Sequence, residues 1–297
     1  MFNFLWNKPI VKYQEPLFRP PAEAESLIFQ VAYGCPHNHC RFCAMYKGVR
    51  YRIRPLDEVL EEFCRAAACD PAVRRIFLAD GDVMMLPFET LHPMLSELNR
   101  VFPQLARVNL YANGSSILDK TPEQLRELRK LKLNTLYVGL ESGDQALLDR
   151  VSKRESATDM AAAVRLAAAC GLKSSVMVLL GLGGRDGSTN HVLKTAECLN
   201  VMQPRLLSAL RFIDVPGTAM YTGYRPVTEY EAVVELLSLI ENLELEQTVF
   251  RANHSSNPAP LEGRFPQDKP KLSAYLQALL NGNDLDRHGP GRLPFSL

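Results

Sequence analysis

Three cysteines, Cys35, Cys40 and Cys43, fall within nine residues in the stretch Gly34-Cys35-Pro36-His37-Asn38-His39-Cys40-Arg41-Phe42-Cys43, directly after the first apolar run. Thiolates clustered on one loop can each ligate a different iron of a cubane. An all-cysteine cubane takes four such ligands. The other cysteines, Cys64, Cys69, Cys170 and Cys198, are isolated or paired on a helical stretch, so a fourth iron would stay open to a small molecule. Two other readings use the same residues. Free cysteine is a common core residue, but a loop carrying proline, asparagine, arginine and two histidines is poor core material. Zinc could take Cys35, Cys40 and Cys43 with His37 or His39, although structural zinc loops usually draw on two separated ligand pairs.

These side chains need a scaffold. From Leu27 onward, short apolar, β-branched-rich runs alternate with amphipathic helical stretches, which predicts βα units and a parallel sheet. Strands are expected at 27–31, 75–78, 107–111, 135–140, 174–180 and 206–212, with helices at 56–68, 90–101, 121–130, 158–170 and 191–202. Six strands are too few to close an eight-stranded barrel. Thr121-Pro122-Glu123-Gln124 reads as a helix start, with an N-cap threonine, a first-turn proline and a glutamine three residues on. Beyond Pro216-Gly217-Thr218 the rhythm gives way to a helical pattern at 229–242, a brief strand at 248–252 and a last helix at 271–280. The chain thus divides into an extended segment, 1–25, expected to pack on the barrel's outside, a barrel, 26–221, and a C-terminal extension, 222–297, expected to cover a substrate site.

With cysteine loop and strand order together, the chain resembles the radical S-adenosylmethionine (SAM) superfamily. Its signature is a three-cysteine loop after the first strand of a partial barrel, with an aromatic residue, here Phe42, before the third cysteine. The resemblance runs from about Ser26 to Tyr221. It is nearest the branch of the Elongator catalytic subunit, the tRNA methylthiotransferases, the nitrogenase cofactor-assembly protein and the oxygen-independent coproporphyrinogen oxidases. The common spacing is C-x3-C-x2-C, whereas four residues separate Cys35 from Cys40 here.

The resemblance implies an α/β fold, a partial (β/α)6 TIM-like barrel with a helical C-terminal extension. It implies that Asp80-Gly81-Asp82 approaches the amino group of SAM, the glycine allowing close backbone approach and the carboxylates accepting from an ammonium. Without the cysteines, the same triplet reads as a turn with an N-cap aspartate. Tyr137-Val138-Gly139-Leu140-Glu141-Ser142-Gly143 matches a motif of the branch in which the glutamate contacts SAM. Its place at the carboxyl end of a barrel strand fits active-site chemistry independently. Asn113 is expected near the ribose or carboxylate of SAM and Arg165 near its carboxylate, while Arg211 and Pro216-Gly217-Thr218 resemble the closing motif. An arginine on an amphipathic helix is otherwise a solvated side chain.

The cofactors implied are a [4Fe-4S] cluster and SAM. The reaction implied is reductive cleavage of SAM to a 5′-deoxyadenosyl radical, which abstracts hydrogen from an unidentified organic substrate, with a flavodoxin or ferredoxin as reductant. The alternative is a non-catalytic iron-sulfur or zinc protein acting as electron carrier or redox sensor. In the extension, His254 is the one candidate acid or base.

Composition narrows the partners. The 297 residues are 46% hydrophobic and 23% charged, and 34 basic against 33 acidic side chains leave a formal net charge of +1. No overall field would gather nucleic acid, which disfavours an RNA substrate. No apolar run approaches the roughly 20 residues needed to span a bilayer. The opening stretch 1–9 lacks the basic flank and apolar core of a signal peptide, so a cytoplasmic location is expected. There, seven cysteines suit metal ligation or redox chemistry better than a disulfide framework.

Overall fold

The computed structural model describes residues 10–292; residues 1–9, read above for a signal peptide, and 293–297 lie outside the described residues. Strand β1 (Leu27–Gln30) enters the main sheet, and a short antiparallel pair, β2 (Ala32–Tyr33) and β3 (Arg52–Ile53), closes the base of the cysteine loop. The chain continues through α1 (Leu56–Cys69), β4 (Arg75–Ala79), α2 (Phe88–Val101), β5 (Arg107–Ala112), α3 (Gly114–Leu118), α4 (Pro122–Lys130) and β6 (Leu133–Glu141). It then runs through α5 (Gln145–Arg150), α6 (Ala157–Ala169), β7 (Lys173–Leu180), α7 (Gly184–Met202) and β8 (Leu206–Arg211). Last come α8 (Glu229–Asn242), β9 (Val249–Arg251), β10 (Glu262–Arg264) and α9 (Lys269–Asn281).

The main sheet runs β1-β4-β5-β6-β7-β8-β9-β10, parallel throughout except for the antiparallel β9–β10 edge. The order advances one strand at a time, so right-handed crossovers set the major helices on one face and leave the other as the interior of an open barrel. Alternate residues, among them Phe29, Val31, Ile76, Leu78, Leu136, Val138, Val176, Val178 and Leu207, point outward into a core shared with the helices. Phe29 meets Phe63 of α1 edge-on at 4.6 Å; burying each such ring contributes about 2–3 kcal/mol. The expected start of α4 holds: Thr121 N donates to Gln124 Oε1 at 3.0 Å, and Gln124 N donates to Thr121 Oγ1 at 3.2 Å.

Three expectations change. The strand at 248–252 does not stand apart in an appended segment: β9 joins β8 in parallel, with α8 as its crossover, so the C-terminal part extends the same sheet. Helix α7 begins seven residues before the expected position. Its polar first turns, poor in helix formers, are held by tertiary bonds, including Ser188 Oγ to Glu235 Oε2 at 2.5 Å and Asn190 Nδ2 to Asp144 Oδ2 at 2.7 Å.

The described part of the N-terminal segment enters the barrel instead of lying outside it. Leu17 packs on the inward-facing Ile28 and Phe77, and buried Glu23 accepts from Asn109 Nδ2 at 2.8 Å and Tyr137 OH at 2.5 Å. These inward strand residues need partners where the barrel is open, and the segment supplies them. Among the described residues no helix is long and apolar enough to cross a membrane.

Candidate active site

The cysteine loop, 34–51, hangs between β2 and β3 and is fastened at several points. Asp80, at the end of β4, accepts from Gly34 N at 3.3 Å, Gln30 Nε2 at 3.1 Å and Tyr46 OH at 3.0 Å, which fixes both limbs of the loop. Burial pushes the Asp80 carboxyl up to about 6, and these donors pull against that rise. At Gly81 a Cβ would come within 2.6 Å of Cys35 Cα and 2.7 Å of the Gly34 carbonyl, so only glycine lets the strand end meet the first cysteine. The extra residue of the Cys35–Cys40 spacing lies in a stretch turned at Asn38, whose φ is 46° and whose Nδ2 donates to Tyr46 O at 2.8 Å.

The loop is also tied to the far side of the barrel mouth. The His37 ring donates to Ser152 O at 2.7 Å, and Arg41 N donates to Val151 O at 2.8 Å. Phe42 leaves the loop to join a small apolar cluster with Leu147, Val151, Leu182 and Phe212. Cys35, Cys40 and Cys43 are each partly exposed. Burial pushes the Cys40 thiol up to about 11 and raises that of Cys43, so any metal taken up by these thiols would displace protons.

Glu141 ends β6 at a register irregularity, with a left-handed φ of 65°. Its carboxylate lies over Gly139, where any Cβ would collide with Oε1. Lys153 Nζ stands 3.6 Å from Glu141 Oε1, and the two side chains are only 9% and 5% exposed. Burial alone would depress the Lys153 ammonium, but Glu141, with Cys40, Glu155 and Cys35 around it, carries it above its ordinary value. Burial raises the Glu141 carboxyl against the pull of Lys153. The second carboxylate oxygen, Oε2, is buried without a hydrogen-bond partner.

Sequence reasoning missed Lys153, because no periodicity marks it. Short helix α5 and a left-handed turn at Ser152, φ 56°, bring it back to the strand end. The only signal was a charged triplet, Lys153-Arg154-Glu155, after a short apolar stretch.

The other expected residues sit as follows. Asp82 is buried and accepts from Ser116 Oγ at 2.9 Å and Asn113 Nδ2 at 3.2 Å, which joins the ends of β4 and β5; burial pushes its carboxyl up to about 6. Ser142 is fully buried, its Oγ 2.7 Å from His191 Nδ1, so it braces the turn after β6 from within. Arg165 is exposed in the middle of α6 and joins none of these contacts. Arg211 donates to the carbonyls of Pro290 and Val227, anchoring the C-terminal segment. The His254 ring is held by Ser256, with Oγ 2.9 Å from Nδ1.

The residues suit a cluster that leaves room for a charged ligand. Among the described residues no three His, Cys, Asp or Glu side chains converge closely enough to share one metal ion; thiolates serving different irons of a cubane need no such convergence. Beside them, the buried Oε2 of Glu141 is an acceptor free to take a hydrogen bond from a donor.

An open parallel barrel with a cysteine loop at the carboxyl ends of its strands is the architecture of the radical SAM superfamily. The sequence pattern of the radical SAM superfamily matches residues 29–196, and the chain belongs to that superfamily. The heme chaperone HemW of Bacillus subtilis is 24% identical over 195 residues, 63% of this chain and 50% of that protein. The chain thus spans about half the length of that curated relative. Coproporphyrinogen III oxidase (HemN) from Escherichia coli, a radical SAM enzyme, shares the fold with a TM-score of 0.56 at 14% identity, over 73% of this chain and 52% of that one. The methyltransferase TsrM from Kitasatospora setae, solved with cobalamin and a [4Fe-4S] cluster, has a TM-score of 0.54 at 19% identity, over 66% of this chain and 38% of that one. A [4Fe-4S] cluster and SAM are the cofactors of this superfamily.

Proposed function

We propose that Cys35, Cys40 and Cys43 hold the [4Fe-4S] cluster, that SAM binds at its open iron, and that the protein directs SAM cleavage toward an organic substrate. The observation that carries this reading is the Glu141–Lys153 pair with its unpartnered Oε2. A free carboxylate oxygen can accept from an ammonium, and a buried ammonium can hold a carboxylate. Together they suit the two charged ends of an aminoacyl group. When bound, the reduced cluster and SAM supply a 5′-deoxyadenosyl radical able to take a hydrogen atom from carbon.

The chain's own part is to hold and position. Asp80 and Gly81 set the loop against β1 and β4, Asp82 and Asn113 shape the neighbouring strand ends, and Ser142 steadies the turn that carries Glu141. Phe42 pins the loop to the apolar cluster of Leu147, Val151, Leu182 and Phe212. The test is to titrate SAM into reduced, reconstituted protein while recording the paramagnetic resonance of the cluster. A changed spectrum at about one SAM per chain is expected, and an unchanged one contradicts the reading.

The electron has to arrive from outside. Residues 26–56 include five Lys and Arg but no Asp or Glu, in a chain of net charge +1. Arg41, Lys47, Arg50 and Arg52 are exposed around the cysteine loop, beside exposed Met45 and Ile53. That surface suits an acidic electron donor, a flavodoxin or ferredoxin.

A further inference from the structure

The interior face of β7, β8 and β9 carries groups that the cysteine loop does not use. By strand register, Gly139, Met177, Ser208 and Arg251 form one row across β6 to β9. The Glu141 carboxylate covers the Gly139 end of that row. Successive residues of a strand point to opposite faces. Here Val176, Val178, Leu207, Ala209 and Phe250 are buried on the helix side, while Met177, Leu179, Ser208, Leu210 and Arg251 are only partly buried inside.

Parallel strands are normally covered on both faces. The inward residues of β7 to β9 are covered less than those on the helix side, and they combine apolar side chains with few polar groups, the composition of a small-molecule site. Arg251 is its cation. Among the described residues its side chain has neither hydrogen bond nor ion pair, and although Glu262 is its cross-strand neighbour, the two form no ion pair. The Arg251 side chain is partly exposed, and no protein acceptor among the described residues occupies its donors, so they remain available to a ligand. Its planar fork fits carboxylate or phosphate oxygens two at a time.

We infer that Arg251 binds the oxyanion of the substrate, a small organic carboxylate or phosphate ester whose carbon part lies over Ser208 and Met177 toward Glu141. This rests on the radical SAM reading above. Three strand spacings of about 4.8 Å separate the two ends of the row, roughly 14 Å along the sheet. The length of an arginine side chain and that of a ligand of a few carbons would together cover that span. A substrate of a few carbons, anchored by its anion at β9, therefore presents its other end at the carboxylate that we assign to SAM.

The test uses anaerobic, cluster-loaded protein saturated with SAM, and four probes: hexanoate, hexanamide, pentyl phosphate and pentanol. Binding is read by saturation-transfer NMR. At least one anion should bind wild type tenfold or more tightly than its neutral counterpart, and whichever anion does so identifies carboxylate or phosphate as the headgroup. Arg251→Gln should abolish that preference and Arg251→Lys should retain part of it, with iron content and SAM affinity unchanged in both. The inference is overturned if neither anion is preferred, if the preference survives in Arg251→Gln, or if Arg251→Gln weakens SAM binding. Failure of wild type to take up iron or SAM would be a different result, one that removes the functional reading and this inference with it.

Discussion

Lys153 and Glu141 face each other across 3.6 Å in a setting almost sealed from water, with the thiols of Cys35 and Cys40 within electrostatic reach of the lysine. Neither charge can be withdrawn alone without stranding the other. Lys153→Met should therefore destabilise the protein by about 3–5 kcal/mol, whereas the Glu141→Gln, Lys153→Met double variant should recover part of that loss. Glu141→Gln should keep its iron yet bind SAM roughly ten- to hundredfold more weakly, from a lost hydrogen bond of about 1.5–3 kcal/mol. Denaturant melts and SAM calorimetry read these effects; additive stabilities or unchanged SAM affinity would contradict the pairing or the assignment.

The cysteine loop makes a second set of expectations. Replacing Cys35, Cys40 or Cys43 with Ala should remove the cluster, while Ser at exposed Cys64 or Cys69 should leave about four irons per chain. Gly81→Ala should behave like a partial ligand loss, because its Cβ meets the backbone of Cys35 and Gly34. A backbone shift there costs about 1–3 kcal/mol. Iron analysis after anaerobic reconstitution decides the matter, and a full complement of iron in Gly81→Ala would show that the loop is not held against β4.

Asp82 gives a pH dependence of definite sign. Its folded pKa, about 6, lies above the ordinary 3.8, so its ionisation opposes folding at neutral pH. The folded state binds the proton more readily between roughly pH 4 and 6, and stability from this group rises as pH falls through that window. Wild type should accordingly gain on Asp82→Asn by on the order of 2 kcal/mol between pH 7 and pH 4.5. Thermal melts of both proteins without SAM test this; parallel curves would place no raised carboxyl at Asp82.

The basic surface beside the loop predicts salt-sensitive electron delivery. Arg50→Glu should slow reduction by a flavodoxin several-fold at low ionic strength, and the difference should fade near 0.5 M salt, where the Debye length falls to a few ångströms. Stopped-flow bleaching of the cluster measures it. Equal rates at low salt would move the donor elsewhere, and tRNA binding lost in the same variant would point to nucleic acid on this face.

Much of the scaffold was legible because its signals are local. The apolar runs that became β1, β4, β5, β6, β7 and β8 stand out by composition, and the Thr121–Gln124 cap marks α4 by hydrogen-bonding chemistry. The cysteine loop was legible from residue type and spacing. What stayed hidden depends on contacts between distant parts. The first turns of α7 are helical because Asp144 and Glu235 bond to them. The N-terminal segment enters the barrel because Tyr137 and Asn109 need Glu23. Lys153 reaches the site only through the turn at Ser152, which no pattern in the sequence announces.

The central claim is that this site cleaves SAM, and the most direct measurement is the formation of 5′-deoxyadenosine. Wild type reconstituted with iron and sulfide without oxygen, then given dithionite and SAM, should form 5′-deoxyadenosine in a time-dependent manner. Cys40→Ala should form none. Glu141→Gln should form it only at higher SAM concentrations, following its weakened binding. A wild-type protein that carries four irons, accepts an electron and still yields no 5′-deoxyadenosine would contradict the account, leaving an iron-sulfur protein that carries electrons without using them on SAM.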